Sequence, residues 1–98
     1  MQLTERQRKT LRGYGHDLKP VVMIADKGLS DNVAGEIELA LNAHELIKIS
    51  VRAERSERDR LIDTICDRFE ATLVQRTGNI ALVFRRNLKK PKIVLGSR

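Results

Sequence analysis

The sequence predicts one α/β domain in the order α-β-α-β-α-β-β, with a four-stranded mixed sheet. Three observations predict it. Three segments repeat apolar residues at helical spacing, and four short ones are continuously apolar or alternate. Thr77-Gly78-Asn79 reads as a hairpin turn, so the last strand runs antiparallel to its predecessor. Helices separate the first three strands, so these are expected to be parallel, with right-handed crossovers. At 98 residues the chain is one domain's length, with one modest core.

Thr4 can cap the first helix, with Gln7 completing a capping box. Leu3, Leu11 and Tyr14 give this helix a thin apolar stripe, and Gly13 and Gly15 are expected to end it. Val21 to Ile24 is continuously apolar, as in a strand covered on both faces or at the sheet centre. Ser30 caps the second helix, where Val33, Ile37 and Leu41 recur every four residues, with Ala40 and His44 beside them. Leu46 to Val51 alternates, with Ile47, Ile49 and Val51 on the better buried face and Leu46, Lys48 and Ser50 on the other. The third helix is expected from Ser56, with Leu61, Ile62, Ile65, Cys66 and Phe69 as its core stripe. Thr72 to Arg76 and Ile80 to Arg85 are the last strands. The domain is read as residues 1–86, and residues 87–98 as a basic tail, partly ordered at best, from which Ile93-Val94-Leu95 can dock on the body.

Net charge is +6, unevenly spread. Residues 1–20 hold five Lys/Arg against two acids, residues 21–50 two against five, and residues 51–98 twelve against six. Such asymmetry suits phosphate backbones or anionic surfaces, the alternative being a solvated face that keeps the chain soluble. Only Tyr14, Phe69 and Phe84 are aromatic, which argues against single-strand binders that stack bases on aromatic platforms.

Enzymatic readings find little support. His16 and His44 lie on different elements without a motif, and Cys66 falls on an apolar stripe. One cysteine excludes an internal disulfide and a multi-cysteine metal site. No catalytic residue, metal or cofactor is therefore expected. No apolar run is long enough to span a bilayer and no signal-peptide pattern is visible, so a cytoplasmic protein without a membrane partner is expected.

Two features point to a polyanion. The first helix carries Arg6, Arg8, Lys9 and Arg12, with Arg8 and Arg12 on one face. The segment Ala25-Asp26-Lys27-Gly28 joins a strand to a helix start, where backbone amides, a helix N-terminus and the Lys27 charge can meet a phosphate. An ordinary turn in which Gly28 merely supplies a special φ remains open, and Asp26 opposes an anion locally.

Leu11-Arg12-Gly13-Tyr14-Gly15-His16-Asp17-Leu18-Lys19-Pro20-Val21-Val22, followed by Lys27-Gly28-Leu29-Ser30, resembles the opening of YhbY-like proteins, the stand-alone form of the CRM domain. His44-Glu45-Leu46-Ile47-Lys48-Ile49 resembles the family's second signature, and Gly78 with Leu82-Val83-Phe84-Arg85 its closing hairpin. The resemblance implies a two-layer fold like the C-terminal domain of the third translation initiation factor, with sheet order 1-2-4-3. It also implies RNA binding and association with precursors of the large ribosomal subunit. The family's loop has a glycine at each end of a four-residue turn. Here Ala25 stands at the first position and only Gly28 matches.

The resulting expectation is a monomeric, non-enzymatic RNA-binding protein acting on pre-ribosomal particles. Its candidate contacts are Arg6, Arg8, Lys9, Arg12, Lys27 and Gly28, with Arg85 and Arg86 joining if their edge lies near the first helix, and Lys19 and Lys48 in secondary roles. The alternative is a protein-interaction assembly factor whose acidic second helix (Asp31, Glu36, Glu38) meets a basic ribosomal protein.

Overall fold

The computed structural model describes residues 2–25 and 27–95. Met1, Asp26 and the last three positions of the basic tail lie outside the described residues. The elements are α1 (Glu5–Gly15), β1 (Pro20–Ile24), α2 (Asp31–His44), β2 (Leu46–Val51), α3 (Arg55–Phe69), β3 (Thr72–Thr77) and β4 (Ile80–Phe84).

Capping chemistry sets where the first two helices begin. The Thr4 hydroxyl accepts from the Gln7 amide at 3.0 Å, and the Thr4 amide donates to Gln7 Oε1 at 3.1 Å. Ser30 Oγ accepts from the Val33 amide at 3.2 Å. Helix α3 starts one residue before the expected Ser56, behind Glu54, whose side chain makes no capping bond.

The strands form one sheet in the order β1-β2-β4-β3. Strands β1 and β2 are parallel, and β4 is antiparallel to both β2 and β3. This is the expected topology: helical crossovers return the chain parallel, and the two-residue turn at Gly78 reverses it. In that turn Gly78 takes a φ of 59°, while Asn79 stays at negative φ.

Alternation along the strands sorts side chains between two clusters. Ile47, Ile49 and Val51 join Val22, Ile24, Ala81 and Val83 on one face, beneath Ile37 and Leu41 of α2 and Ile62, Ile65 and Phe69 of α3. The opposite face presents Leu46, Val74, Leu82 and Phe84 to Leu11 of α1, with Leu3, Ile93 and Leu95 packed around them. Burying Leu11 completely contributes about 1.5–3 kcal/mol to holding α1 down.

Several expectations need correction. Strand β1 is an edge strand, with neither face-to-face coverage nor a central place. Val22 and Ile24 reach the core, while Val21 and Met23 are each 51% exposed. The second face of β2 is better buried than its polar residues suggest, because α1 and the tail cover Leu46. Helix α1 runs through Gly13 to Gly15. A Cβ on Gly15 would lie 2.6 Å from a methyl of Leu82, whereas one on Gly13 would meet nothing within 4 Å. Gly15 thus lets the helix touch the sheet, and Gly13 is a helical glycine without a packing role.

Residue Glu45, between α2 and β2, organises the tail. Its backbone takes φ 63° and ψ −44°, and its side chain is fully buried. The carboxylate accepts from the amides of Asn87 (2.6 Å), Lys92 (2.6 Å) and Ile93 (2.8 Å), and from Arg86 Nη1 at 3.3 Å. Residues 87–95 are therefore tied to the body and pack Ile93 and Leu95 against it, while Val94 points out at 82% exposure. Burial pushes the Glu45 carboxyl up, but the amides of Asn87, Ile93 and Lys92 and the Arg86 charge outweigh it and hold it below its ordinary range.

Two outcomes are expected. Gly15→Ala should destabilise the fold by about 1–3 kcal/mol through overpacking at Leu82, whereas Gly13→Ala should stabilise it by up to about 1 kcal/mol; thermal unfolding of both variants checks this. A folded carboxyl held below its unfolded value stabilises at higher pH, and that stabilisation is lost as pH falls through the folded value. Below about pH 4 the amides of Asn87, Lys92 and Ile93 should lose protection from hydrogen exchange ahead of the sheet. Glu45→Gln should cost on the order of 3 kcal/mol at neutral pH, and denaturation at parental stability would refute the assigned role.

Candidate nucleic-acid interface

Helix α1 crosses the sheet from β3 towards β2. At its start Arg8 donates to the carbonyls of Leu73 (2.6 Å) and Val74 (3.2 Å), where the β3 register shifts. Near its end Gly15 rests on Leu82 of β4. The helix leaves part of the sheet face open. Met23, Ser50, Ile80 and Thr77 form one row across the strands, and Lys48, Leu82 and Gln75 form the next. Between these rows and the helix lies a hollow of about 350 Å³, lined by Arg12, Gly15, His16, Lys48, Thr77 and Ile80 among others.

Parallel pairing brings the ends of β1 and β2 together beside the β3–β4 turn. The Arg52 amide donates to the Ile24 carbonyl at 2.8 Å, and the Val51 amide to the Asn79 carbonyl at 2.7 Å. The exposed side chains of Lys27 and Arg52 therefore stand at one end of the sheet, the end at which Thr77 and Ile80 line the hollow. In the loop, Gly28 has φ 62°, and its amide donates to the Ala25 carbonyl at 2.9 Å. The Ser30 amide donates to Gly28 O at 3.0 Å. These amides close the turn and are not offered to an anion, so Gly28 serves the bend and Lys27 is the loop's cationic element. Ala25 is not among the positive-φ residues, so alanine fits this position without strain.

Ion pairing divides the candidate cations. Arg85 lies on the α2–α3 side, away from α1. It is bidentate to Glu38 (2.9 Å to each oxygen), donates to Asn42 Oδ1 at 2.9 Å, and also reaches the Phe69 carbonyl. Arg86 is held by Glu45 and the Ile93 carbonyl and sits 5.4 Å from the Phe84 ring centroid. With Arg8 bound to β3, these three guanidinium groups have partners within the fold, and the edge carrying Arg85 does not lie near α1, the condition on which Arg85 and Arg86 were to join the first-helix cluster. Arg6, Lys9, Arg12, Lys19, Lys27 and Lys48 form no ion pair among the described residues. They lie on α1, the β1 loops and the sheet face beneath α1. On the far face Arg60 pairs with Glu57 and Arg76 with Asp59.

Sequence reasoning missed His16, Arg52 and Glu45. Arg52 was accessible in principle, since parallel strands set their carboxyl ends side by side. Glu45 had no signal, because its partners are backbone amides more than forty residues away. The acidic surface of α2 is reduced, since Glu38 is occupied by Arg85, which holds its carboxyl below the ordinary range through hydrogen bonding. Cys66 is half-buried, and burial pushes its thiol up, consistent with a packing role. A larger hollow of about 910 Å³ carries Asp63, Asp67 and Glu70 on its lining beside Arg85 and Arg86, and both arginines are already held by carboxylates. Among the described residues no three His, Cys, Asp or Glu side chains gather as metal ligands, and no helix is long and apolar enough to cross a membrane.

Residues 3–85 match the CRS1 / YhbY (CRM) domain. The chain belongs to this family. Over 93 residues it is 46% identical to a probable RNA-binding protein of Pseudomonas aeruginosa, covering 94% of this chain and 89% of that one. It is 42% identical over 84 residues to an RNA-binding protein of Haemophilus influenzae, covering 85% of each chain. The solution structure of the Staphylococcus aureus protein SAV1595, for which RNA binding has been suggested, superposes with a TM-score of 0.81 at 27% identity, covering 97% of this chain and 100% of that one. The shared CRM fold accounts for the sheet order and for the helix laid on its second face.

Arg8 and Arg12, one turn apart, should separate in their effects on stability. Arg8→Ala strips two carbonyls of their donor and should cost about 1–3 kcal/mol, while Arg12→Ala should stay within about 0.5 kcal/mol of the parent. Denaturant unfolding of the two single variants checks this.

Proposed function

We propose that this CRM protein binds structured RNA through its phosphate backbone, using the α1 side of the sheet. The observation that carries the reading is one hollow that brings Arg12, His16 and Lys48 together with no carboxylate on its lining, whereas acids of α2 and α3 on the other face pair with Arg85, Arg60 and Arg76. The hollow holding Arg12, His16 and Lys48 is the centre, with Arg6 and Lys9 above it and Lys27 and Arg52 at the sheet end. Cations around an open groove attract phosphate and position a duplex without reading its sequence. The names of the relatives support RNA as the polyanion. Within this reading the RNA is a precursor of the large ribosomal subunit, met in the cytoplasm by a monomer, and the protein assists assembly without catalysing a reaction.

The combined substitution Arg12→Ala with Lys48→Gln should weaken binding to structured RNA and flatten the dependence of log affinity on log salt by about 0.7–0.9 per lost contact. Arg55→Ala with Arg68→Ala removes the same charge from exposed positions on α3 and should leave the slope unchanged. Equal losses in the two double variants would show that net charge, not this surface, drives binding. Crosslinking in cells, with both the RNA site and the protein residue mapped, identifies the RNA: crosslinks outside large-subunit precursors would overturn that assignment.

A further inference from the structure

Helix α1 has a second flank, turned away from Arg12. There, between the end of the helix, the edge strand β1 and the tail, lies a hollow of about 430 Å³. Its walls are apolar: Tyr14, Leu18, Val21, Leu46 and Ile93. Tyr14 (53%), Leu18 (38%) and Val21 (51%) leave much of their surface exposed around it. Exposed apolar groups gathered around one hollow mark a contact surface more often than chance decoration. The volume falls within the range of small-ligand sites, roughly 300–1,000 Å³.

Charge indicates what enters. Lys19 and Lys48 stand among the lining residues, His44 is a third basic group, and no carboxylate lines the hollow. Lys48 also borders the hollow on the Arg12 flank, so the two sites adjoin beneath the last turn of α1. An apolar slot with an aromatic wall and lysines at its edge matches a planar base attached to a phosphodiester. It matches neither an acyl chain, which needs no aromatic wall, nor a basic peptide, which the lysines repel. We infer that this hollow takes an unpaired nucleobase of the bound RNA, stacked on the Tyr14 ring, while Lys19 and Lys48 hold the flanking phosphates. The inference rests on the RNA-binding reading and adds to it a preference for bulged or looped RNA over a continuous duplex. RNA recognition commonly depends on such splayed bases.

Tyr14 is the only tyrosine and the chain has no tryptophan, so tyrosine emission reports on this site alone. The test titrates the protein with a fully paired RNA duplex and with the same duplex carrying a bulge of unpaired adenosines or uridines. Bulged RNA should bind more tightly, by about tenfold, and should quench Tyr14 emission, while the paired duplex binds with little quenching. Tyr14→Ala should collapse the difference between the two RNAs, and Tyr14→Phe should preserve it. Equal affinity for paired and bulged RNA, or unchanged emission with every RNA that binds, would overturn the inference and leave phosphate binding standing. Binding to none of the RNAs would overturn both.

Discussion

The seating of α1 on the sheet is the constraint on which the surface depends. A helix that approached a few tenths of an ångström less closely would lose its packing against Leu82, and the hollows on both flanks would change shape. Two unlike devices hold it. Gly15 removes the side chain that would keep helix and strand apart, and Arg8 anchors the other end through backbone carbonyls of β3. The carbonyls belong to the place where the β3 register shifts, so an irregularity in the sheet provides the acceptor for the helix.

This seating also explains why one helix face serves several purposes. Residues 8, 11 and 15 face the sheet, Arg12 and His16 look along one flank and Tyr14 along the other. Arg6 and Lys9 are left to solvent. The basic character of α1 is therefore not uniform: one guanidinium anchors the helix and the others remain available. Desolvated and paired cations contribute to the fold, and unpaired ones contribute to the field around it.

Much of the architecture was legible in the chain, because it rests on local signals. The Thr4 capping box, the Ser30 cap, the stripe of α2 and the turn at Gly78 are each written in neighbouring residues. The parallel and antiparallel pairings follow from the lengths of the connections. Strand order came from family resemblance, and the edge position of β1 was misread because Val21 and Met23 look like core residues in sequence. The candidate surface was less legible. Whether a basic residue is free depends on acids and carbonyls far along the chain: Arg8 meets residues 65 and 66 positions away, and Arg85 meets Glu38 at a separation of 47. Nothing in the order of residues distinguishes Arg8 from Arg12.

The buried Glu45 makes the body depend on chain beyond its last strand. Strands, helices and the covering of the α2–α3 face are all encoded before residue 85, yet a carboxylate inside them takes its donors from the amides of residues 87, 92 and 93. Without that segment the body would hold a negative charge at a turn of positive φ with no amide donors for it. The segment that supplies these donors also forms part of the wall of the apolar hollow beside α1, through Ile93, so one stretch of chain both satisfies a buried charge and shapes an open surface.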